Sequence, residues 1–282
     1  MTQTYTTLIS ASELAQLVAQ QAPLRIFDCR ARLGAPEQGG LLFRAGHIQG
    51  ALQADLDAQL ADAPNTQGRH PLPPFEQWLG QVQRWGLQPE EQVVVYDDAG
   101  GQMAARAWWM FRWLGHEASA VLDGGLAQWQ QPLQSGNAAP VSTSDYQPQP
   151  ALTRLWQVDE VLQNLQSTEH TLVDARSQER FRGEQEPIDP VAGHIPHAVC
   201  LPCSENLGAE GLFKTPAQLR ERFASITTAH TVCYCGSGVT ATHNILAMRV
   251  AGLAEPALYA DSWSGWITDT SRAVATGDGS AD

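Results

Sequence analysis

The stretch 232-VCYCGSGVTATHN-244 sets Cys235 between a short apolar run and a glycine-rich turn that leads into a helix-like segment. Several chemistries use such a junction. Gly236, Gly238 and Ala241 fit G-x-G-x-x-A, the phosphate-binding turn of dinucleotide folds. That pattern also needs an acidic residue about 20 positions on. Only Glu255 answers, it precedes a proline, and little chain follows it. No lysine follows the glycines, which excludes a P-loop. A cysteine-dependent phosphatase needs an arginine six residues beyond its nucleophile to grip phosphate, and Ala241 stands there. What remains is a thiolate nucleophile. A loop of small residues wrapping back to a helix start aims backbone N–H groups inward. The helix N-terminus adds positive potential, and both features favour a sulfur anion. On the loop alone, a nucleophile and a cysteine that merely ends a strand read equally well.

The elements that position this loop recur in the chain. An apolar strand ending in Asp-x-Arg occurs as 24-LRIFDCR-30 and again as 171-TLVDAR-176. The stretch 45-AGHIQGAL-52 matches 192-AGHIPHAV-199, and 92-QVVVYDDAGG-101 with its Trp-rich helix 103–116 matches 231-TVCYCGSG-238 with 240–253. Asp28 and Asp174 are 146 residues apart, His47 and His194 147, Trp129 and Trp266 137. A near-constant offset over most of the chain is a duplicated domain. Short β-branched strands alternating with helical patterns predict α/β halves with mainly parallel sheets, whose sites lie beyond the carboxyl ends of the strands. The division expected is 1–135 for the first domain, a polar, proline-containing linker over 136–151, the second domain over 152–274, and a flexible tail over 275–282. The repeat equivalent of Cys235 is Asp97, which cannot carry sulfur, so the first domain reads as non-catalytic.

Composition narrows the partners. A formal net charge of −13 with no long basic run excludes nucleic acid and anionic membranes as natural partners. No apolar run approaches the roughly 20 residues of a membrane span. The N-terminus lacks the pattern of a secretory signal, which points to the cytoplasm. Five cysteines in such a chain argue against a disulfide framework. Cys200 and Cys203 form a lone C-x-x-C without the second pair a zinc site needs, so no metal is expected; Cys29 and Cys233 read as core residues.

The loop 235-CGSGVTA-241, the paired Asp-x-Arg and Gly-His-Ile landmarks and 180-RFRGEQEP-187 together resemble a two-domain rhodanese-family sulfurtransferase, over about residues 8–272. The neutral loop Cys-Gly-Ser-Gly-Val-Thr is most similar to the 3-mercaptopyruvate branch; thiosulfate enzymes of the family carry Arg and Lys there. The resemblance implies tandem rhodanese-like domains and no cofactor. It implies a Cys235 persulfide held by the amides of Gly236, Ser237, Gly238, Val239 and Thr240. Sulfur would pass from a small anionic donor, 3-mercaptopyruvate ahead of thiosulfate, to cyanide or a thiol acceptor such as a thioredoxin-like protein. A thiosulfate:cyanide activity is the alternative, and a non-catalytic binding module the remote one.

By the same resemblance Arg180 grips the donor's carboxylate, with a salt bridge to Glu184 or Glu186 as the competing reading, and Ser237 forms a relay with His47. Two positions depart from the pattern. A second clamp arginine is expected where Ile188 stands, and the only acidic residue in 31–46 is Glu37. A third departure, Ala260-Asp261 before Ser262-Trp263, places a carboxylate near the site. His194 is expected to order its own loop, His243 to face solvent or pack, and Asp174 with Arg176 to form a structural pair.

Overall fold

A computed structural model of the chain describes residues 3–278. Two compact units divide it. The first takes the chain up to Asp62, Pro73–Leu152 and Glu210–Leu212; the second takes Ala63–Leu72, Thr153–Ala209 and the chain from Phe213 onward.

The first unit contains β1 (Leu8–Ile9), β2 (Leu24–Asp28), β3 (His47–Ile48), β4 (Leu52–Gln53), β5 (Gln92–Tyr96), β6 (Ser119–Leu122) and β7 (Leu133–Gln134). Five of these form an all-parallel sheet ordered β1-β6-β5-β2-β4, while β3 and β7 pair antiparallel beside it. The second unit contains β8 (Leu155–Trp156), β9 (Thr171–Asp174), β10 (Val199–Cys200), β11 (Thr231–Tyr234) and β12 (Ala257–Tyr259), all parallel in the order β8-β12-β11-β9-β10. The two orders coincide when β8 stands for β1, β12 for β6, β11 for β5, β9 for β2 and β10 for β4. The duplication read from residue spacing is therefore also a duplication of topology, and the α/β class with one parallel sheet per repeat is the one observed.

Each central strand is buried along its whole length, Gln92–Tyr96 in one unit and Thr231–Tyr234 in the other. Parallel sheets covered on both faces require this, because neither face meets water. The following helices, Ala104–Trp113 and Ala241–Val250, are buried almost all round, which explains why their sequences show no polar face.

Beside each central strand lies a buried ion pair. Arg30 donates from Nε and Nη2 to Asp28, and from Nη2 to the Gly46 carbonyl. Arg176 repeats this on Asp174 and the Gly193 carbonyl. Strand register sets Asp28 beside Tyr96 and Asp174 beside Tyr234. The expected structural pair of Asp174 with Arg176 is thus present and has a twin.

The loop after β5 shows what this junction holds. Asp97 is fully buried and its carboxylate accepts four backbone N–H bonds: from Ala99 and Gly101 at 2.9 and 2.8 Å, and from Met103 and Ala104 at 2.8 and 2.9 Å.

Two segments differ from the sequence expectation. Residues 136–151 do not stand apart as a linker. Ser144 N–H donates to the Gln83 carbonyl, Gln149 N–H to that of Leu114, and Tyr146 is buried. The helix ending at Trp113 leaves carbonyls without intrahelical donors, and this segment supplies one. The tail is also held as far as residue 278. Ala275 exchanges two backbone bonds with His194, Gly277 N–H donates to the Arg182 carbonyl, and Asp278 pairs with Arg182. The antiparallel His194–Ala275 bridge repeats the β3–β7 pair, in which His47 faces Gln134. Residues 279–282 of the expected tail lie outside the described residues.

Asp97→Ala strands four buried donors, so it is expected to lower the unfolding free energy by about 3 kcal/mol or more in urea titration, with Asp97→Asn between it and wild type. A change within about 0.5 kcal/mol for the alanine variant would mean that the amides find other partners.

Candidate active site

In the second unit the junction after β11 carries Cys235 at the place of Asp97. Its main chain is fixed from one side by 262-SWS-264. Cys235 N–H donates to the Ser262 hydroxyl at 3.0 Å, Trp263 N–H to the Cys235 carbonyl at 3.0 Å, and Ser264 N–H to the Gly236 carbonyl at 2.8 Å. Ser262 sits in the left-handed region at φ 54°, which a non-glycine residue rarely adopts. Its hydroxyl, shared between Cys235 N–H and the Tyr259 carbonyl, is the compensating interaction. Gly238 has φ +75°, and a Cβ there would come within 2.2 Å of the Ala260 carbonyl oxygen. Only glycine lets the loop pass so close to that strand end.

Among the described residues, the N–H groups of Gly236, Ser237, Val239 and Thr240 donate to no protein acceptor. The equivalent loop of the first unit turns its amides onto Asp97. In the second unit the same position holds a buried thiol, 2% exposed.

Ser237 carries the first partner outside the loop. Its Oγ lies 2.7 Å from Nδ1 of His70. This corrects the expected relay with His47. The His47 ring is buried, stacks on Phe43 at 3.8 Å between centroids, and sets Nδ1 2.8 Å from the Phe43 carbonyl. His194 does the same with Phe181, at 3.7 Å and 2.7 Å. The two Gly-His-Ile landmarks are therefore equivalent and structural: each imidazole fills the space beside a helix and ties its own loop to that helix.

Arg180 donates from Nε and Nη2 to Glu186, at 3.1 and 2.7 Å, and from Nη2 to Asp189 at 3.1 Å. Of the two carboxylates expected to compete for it, Glu186 is the one that pairs, joined by Asp189. Its remaining edge faces the loop, with Nη1 and Nη2 each 3.5 Å from where a Cβ on Gly236 would lie. Ile188 is 47% exposed and only its backbone N–H is engaged, by Glu186. A second cation nevertheless reaches the loop. Arg69 pairs through Nη1 with Asp189, its N–H donates to the Ser264 hydroxyl at 3.1 Å, and its Nη2 lies 3.0 Å from the same Gly236 Cβ position.

Residue spacing reveals neither Arg69 nor His70, because 63-APNTQGRHPL-72 shares no residue landmark with the second repeat and has no periodicity; only its place between a strand and a helix is repeated, where antiparallel bridges Asn65–Gly68 and Leu207–Phe213 precede the helices. Its one signal is an adjacent Arg-His pair between Gly68 and Pro71 in an otherwise acidic chain.

Residues 10–132 and 157–269 each match the Rhodanese-like domain family. The chain belongs to that family. It is 45% identical to a "probable 3-mercaptopyruvate sulfurtransferase" of Pseudomonas aeruginosa, covering 96% of this chain and 98% of that protein. It is 34% identical to the thiosulfate sulfurtransferase of Mus musculus over 93% of this chain and 92% of the other. The 3-mercaptopyruvate sulfurtransferase from Leishmania major superimposes with a TM-score of 0.81 at 30% identity, over 92% of this chain and 73% of that one.

Burial holds the other four cysteines of this rhodanese-like chain in the thiol form. Cys29 and Cys233 are fully buried, and burial pushes both thiols up. Cys200 and Cys203 are pushed up to about 12, also by burial. Among the described residues no group of three or more metal-ligating side chains occurs. His243 is wholly packed, stacked on Phe213 and bonded through Nδ1 to Asn206.

Asp261 is half-buried beside the 262–264 turn, and burial pushes its carboxyl up to about 6 against the opposing field of Arg272. Its folded-state value exceeds the ordinary 3.8, so the stability it gives is full below about pH 4 and is lost as pH rises through about 6. Asp261→Asn cannot ionise. It is expected to match wild type in Tm at about pH 4 and to exceed it at about pH 7.5. An identical Tm difference at both values would show that this carboxyl does not titrate between them.

Proposed function

We propose that the chain is a sulfurtransferase that moves sulfane sulfur from 3-mercaptopyruvate, and more slowly from thiosulfate, through a Cys235 persulfide. The acceptor is cyanide or a thiol, a thioredoxin-like protein being the protein acceptor of that kind. The observation that carries this reading is the comparison of the two loops. Four amides of the first-unit loop bind a carboxylate in place of the thiol. The second-unit loop has the same place in the fold, has amides without protein acceptors, and carries a thiol that becomes an anion on losing its proton.

The Cys235 thiolate attacks the sulfur of the donor and forms an S–S bond while the C–S bond breaks. The electron pair leaves with carbon as the enolate of pyruvate. A proton moves to that carbon, the outer sulfur loses one, and the products are pyruvate and the persulfide anion. With thiosulfate the S–S bond of the donor breaks and sulfite leaves. Cyanide or a thiolate then attacks the outer sulfur, restoring the Cys235 thiolate and releasing thiocyanate or a new persulfide. The loop amides stabilise the anionic persulfide without a metal. The Ser237 hydroxyl, with His70 at 2.7 Å, is placed to hydrogen-bond the enolate oxygen as charge develops there. Arg180 anchors the donor's carboxylate. Asp97 leaves the first unit without a nucleophile, so that unit is structural.

All five cysteines are free thiols, and the reaction needs Cys235 reduced, which suits a cytoplasmic setting. Among the described residues no helix is long and apolar enough to cross a membrane.

Intact-mass spectrometry after addition of donor is expected to show a gain of one sulfur atom that cyanide removes and that Cys235→Ser abolishes; a gain that survives in the serine variant would sink the proposal. With cyanide as acceptor, kcat/KM is expected to be larger for 3-mercaptopyruvate than for thiosulfate. His70→Asn is expected to cut the mercaptopyruvate value about a hundredfold and the thiosulfate value much less, because sulfite departs without an enolate. Equal losses for both donors would assign His70 to positioning the loop instead.

A further inference from the structure

Position 188 lacks the expected second cation, yet two guanidinium groups converge on the loop from different segments. Asp189 joins them: one carboxylate oxygen takes Nη1 of Arg69 and the other takes Nη2 of Arg180 at 3.1 Å. The carboxylates are the buried members, with Asp189 and Glu186 side chains 2% and 4% exposed against 28% for Arg69 and 17% for Arg180. Each arginine is thus held by an edge that faces inward.

The opposite edges are different. Among the described residues, Nε and Nη2 of Arg69 and Nη1 of Arg180 have no hydrogen-bond acceptor. A methyl group on Gly236 would sit 3.0 Å from Nη2 of Arg69 and 3.5 Å from Nη1 and Nη2 of Arg180, so both unfilled edges aim at one point beside Cys235. Two guanidinium edges facing one point repel each other unless an anion lies between them. A carboxylate or sulfonate presents two oxygens in the geometry a guanidinium fork recognises.

Ser264 fixes the arrangement, since its hydroxyl accepts Arg69 N–H while its own N–H donates to the Gly236 carbonyl. Burial pulls the Arg69 guanidinium below its usual value and a Cys235 thiolate pushes it back, so its charge also bears on the reacting sulfur.

We propose that Arg69 is the second cation of the donor's anion subsite, doing from the 63–72 segment what an arginine at position 188 would do, and that Asp189 is the positioning residue holding Arg69 and Arg180 on one target. The inference rests on the sulfur-transfer reading above for the identity of the donor, but not for the existence of the subsite.

The test is alkylation of Cys235 by iodoacetate and by iodoacetamide, which differ in the carboxylate alone. The ratio of their second-order rate constants cancels any change in the thiolate population. Arg69→Gln is expected to lower that ratio about tenfold or more, the loss of one charge-assisted pair, and Arg69→Lys to recover part of it. KM for 3-mercaptopyruvate should rise in parallel. If Arg69→Gln does not fold because Asp189 loses its partner, Arg69→Gln combined with Asp189→Asn removes both charges and should show the same fall. An unchanged ratio in either folded variant overturns the proposal. Absence of a persulfide in wild type with 3-mercaptopyruvate would overturn the sulfur-transfer reading while leaving the alkylation ratio to decide the subsite.

Discussion

Backbone N–H groups at the carboxyl end of a central parallel strand have neither a neighbouring strand nor a preceding helical turn to receive them. In this chain that constraint is met twice, by the same loop in the same place of a duplicated fold. One copy fills its nest with the Asp97 carboxylate and becomes a closed structural element. The other places Cys235 there, and among the described residues the N–H groups of Gly236, Ser237, Val239 and Thr240 donate to no protein acceptor, which on the proposed reading suits them to an anion on that sulfur. Most of the surrounding architecture serves to hold this junction still: the buried central strand, the buried helix behind it, and the Asp174–Arg176 pair beside it.

The supports of the loop are mostly main-chain contacts. Ser262, Trp263 and Ser264 bind the two peptide units that flank Cys235 and the one that follows them, and the same serine at 264 seats Arg69. One short turn therefore sets both the sulfur and the cation. Such coupling makes the geometry robust to changes in side chains exposed at the rim, and sensitive to any residue that shifts the turn.

The α/β class, the duplication and the loop were legible because each leaves a regular mark: alternating strands and helices, a near-constant offset, and small residues after a strand. Cys235 and Ser237 lie in such a marked stretch, whereas Arg180 is legible only through the family resemblance of 180-RFRGEQEP-187. The residues that went unread lie where the repeat breaks. The segment 63–72 shares its place in the fold with the loop around Leu207–Phe213 but no residue landmark, so comparison of the two sequences cannot weigh Arg69 or His70, and the Gly-His-Ile landmark points to His47 instead. A repeated histidine is better evidence of a repeated structural task, as the twin stacks on Phe43 and Phe181 make plain. The same logic, applied to β7, would have anchored Ala275, whose pairing with His194 mirrors that of Gln134 with His47. Side-chain pairing across distant segments, such as Asp189 with both Arg69 and Arg180, leaves no periodic trace at all.

The filled nest of the first unit and the unfilled one of the second give transferred sulfur a second meaning. Asp97 satisfies its loop permanently, so the first unit is complete as synthesised. Under the proposed reaction the second unit gains a comparable anchor for its loop only while a persulfide anion sits at the end of the Cys235 side chain. On that reading the sulfur atom in transit is a temporary part of the fold as well as cargo, and each turnover alternates the domain between a loaded form and an unloaded one.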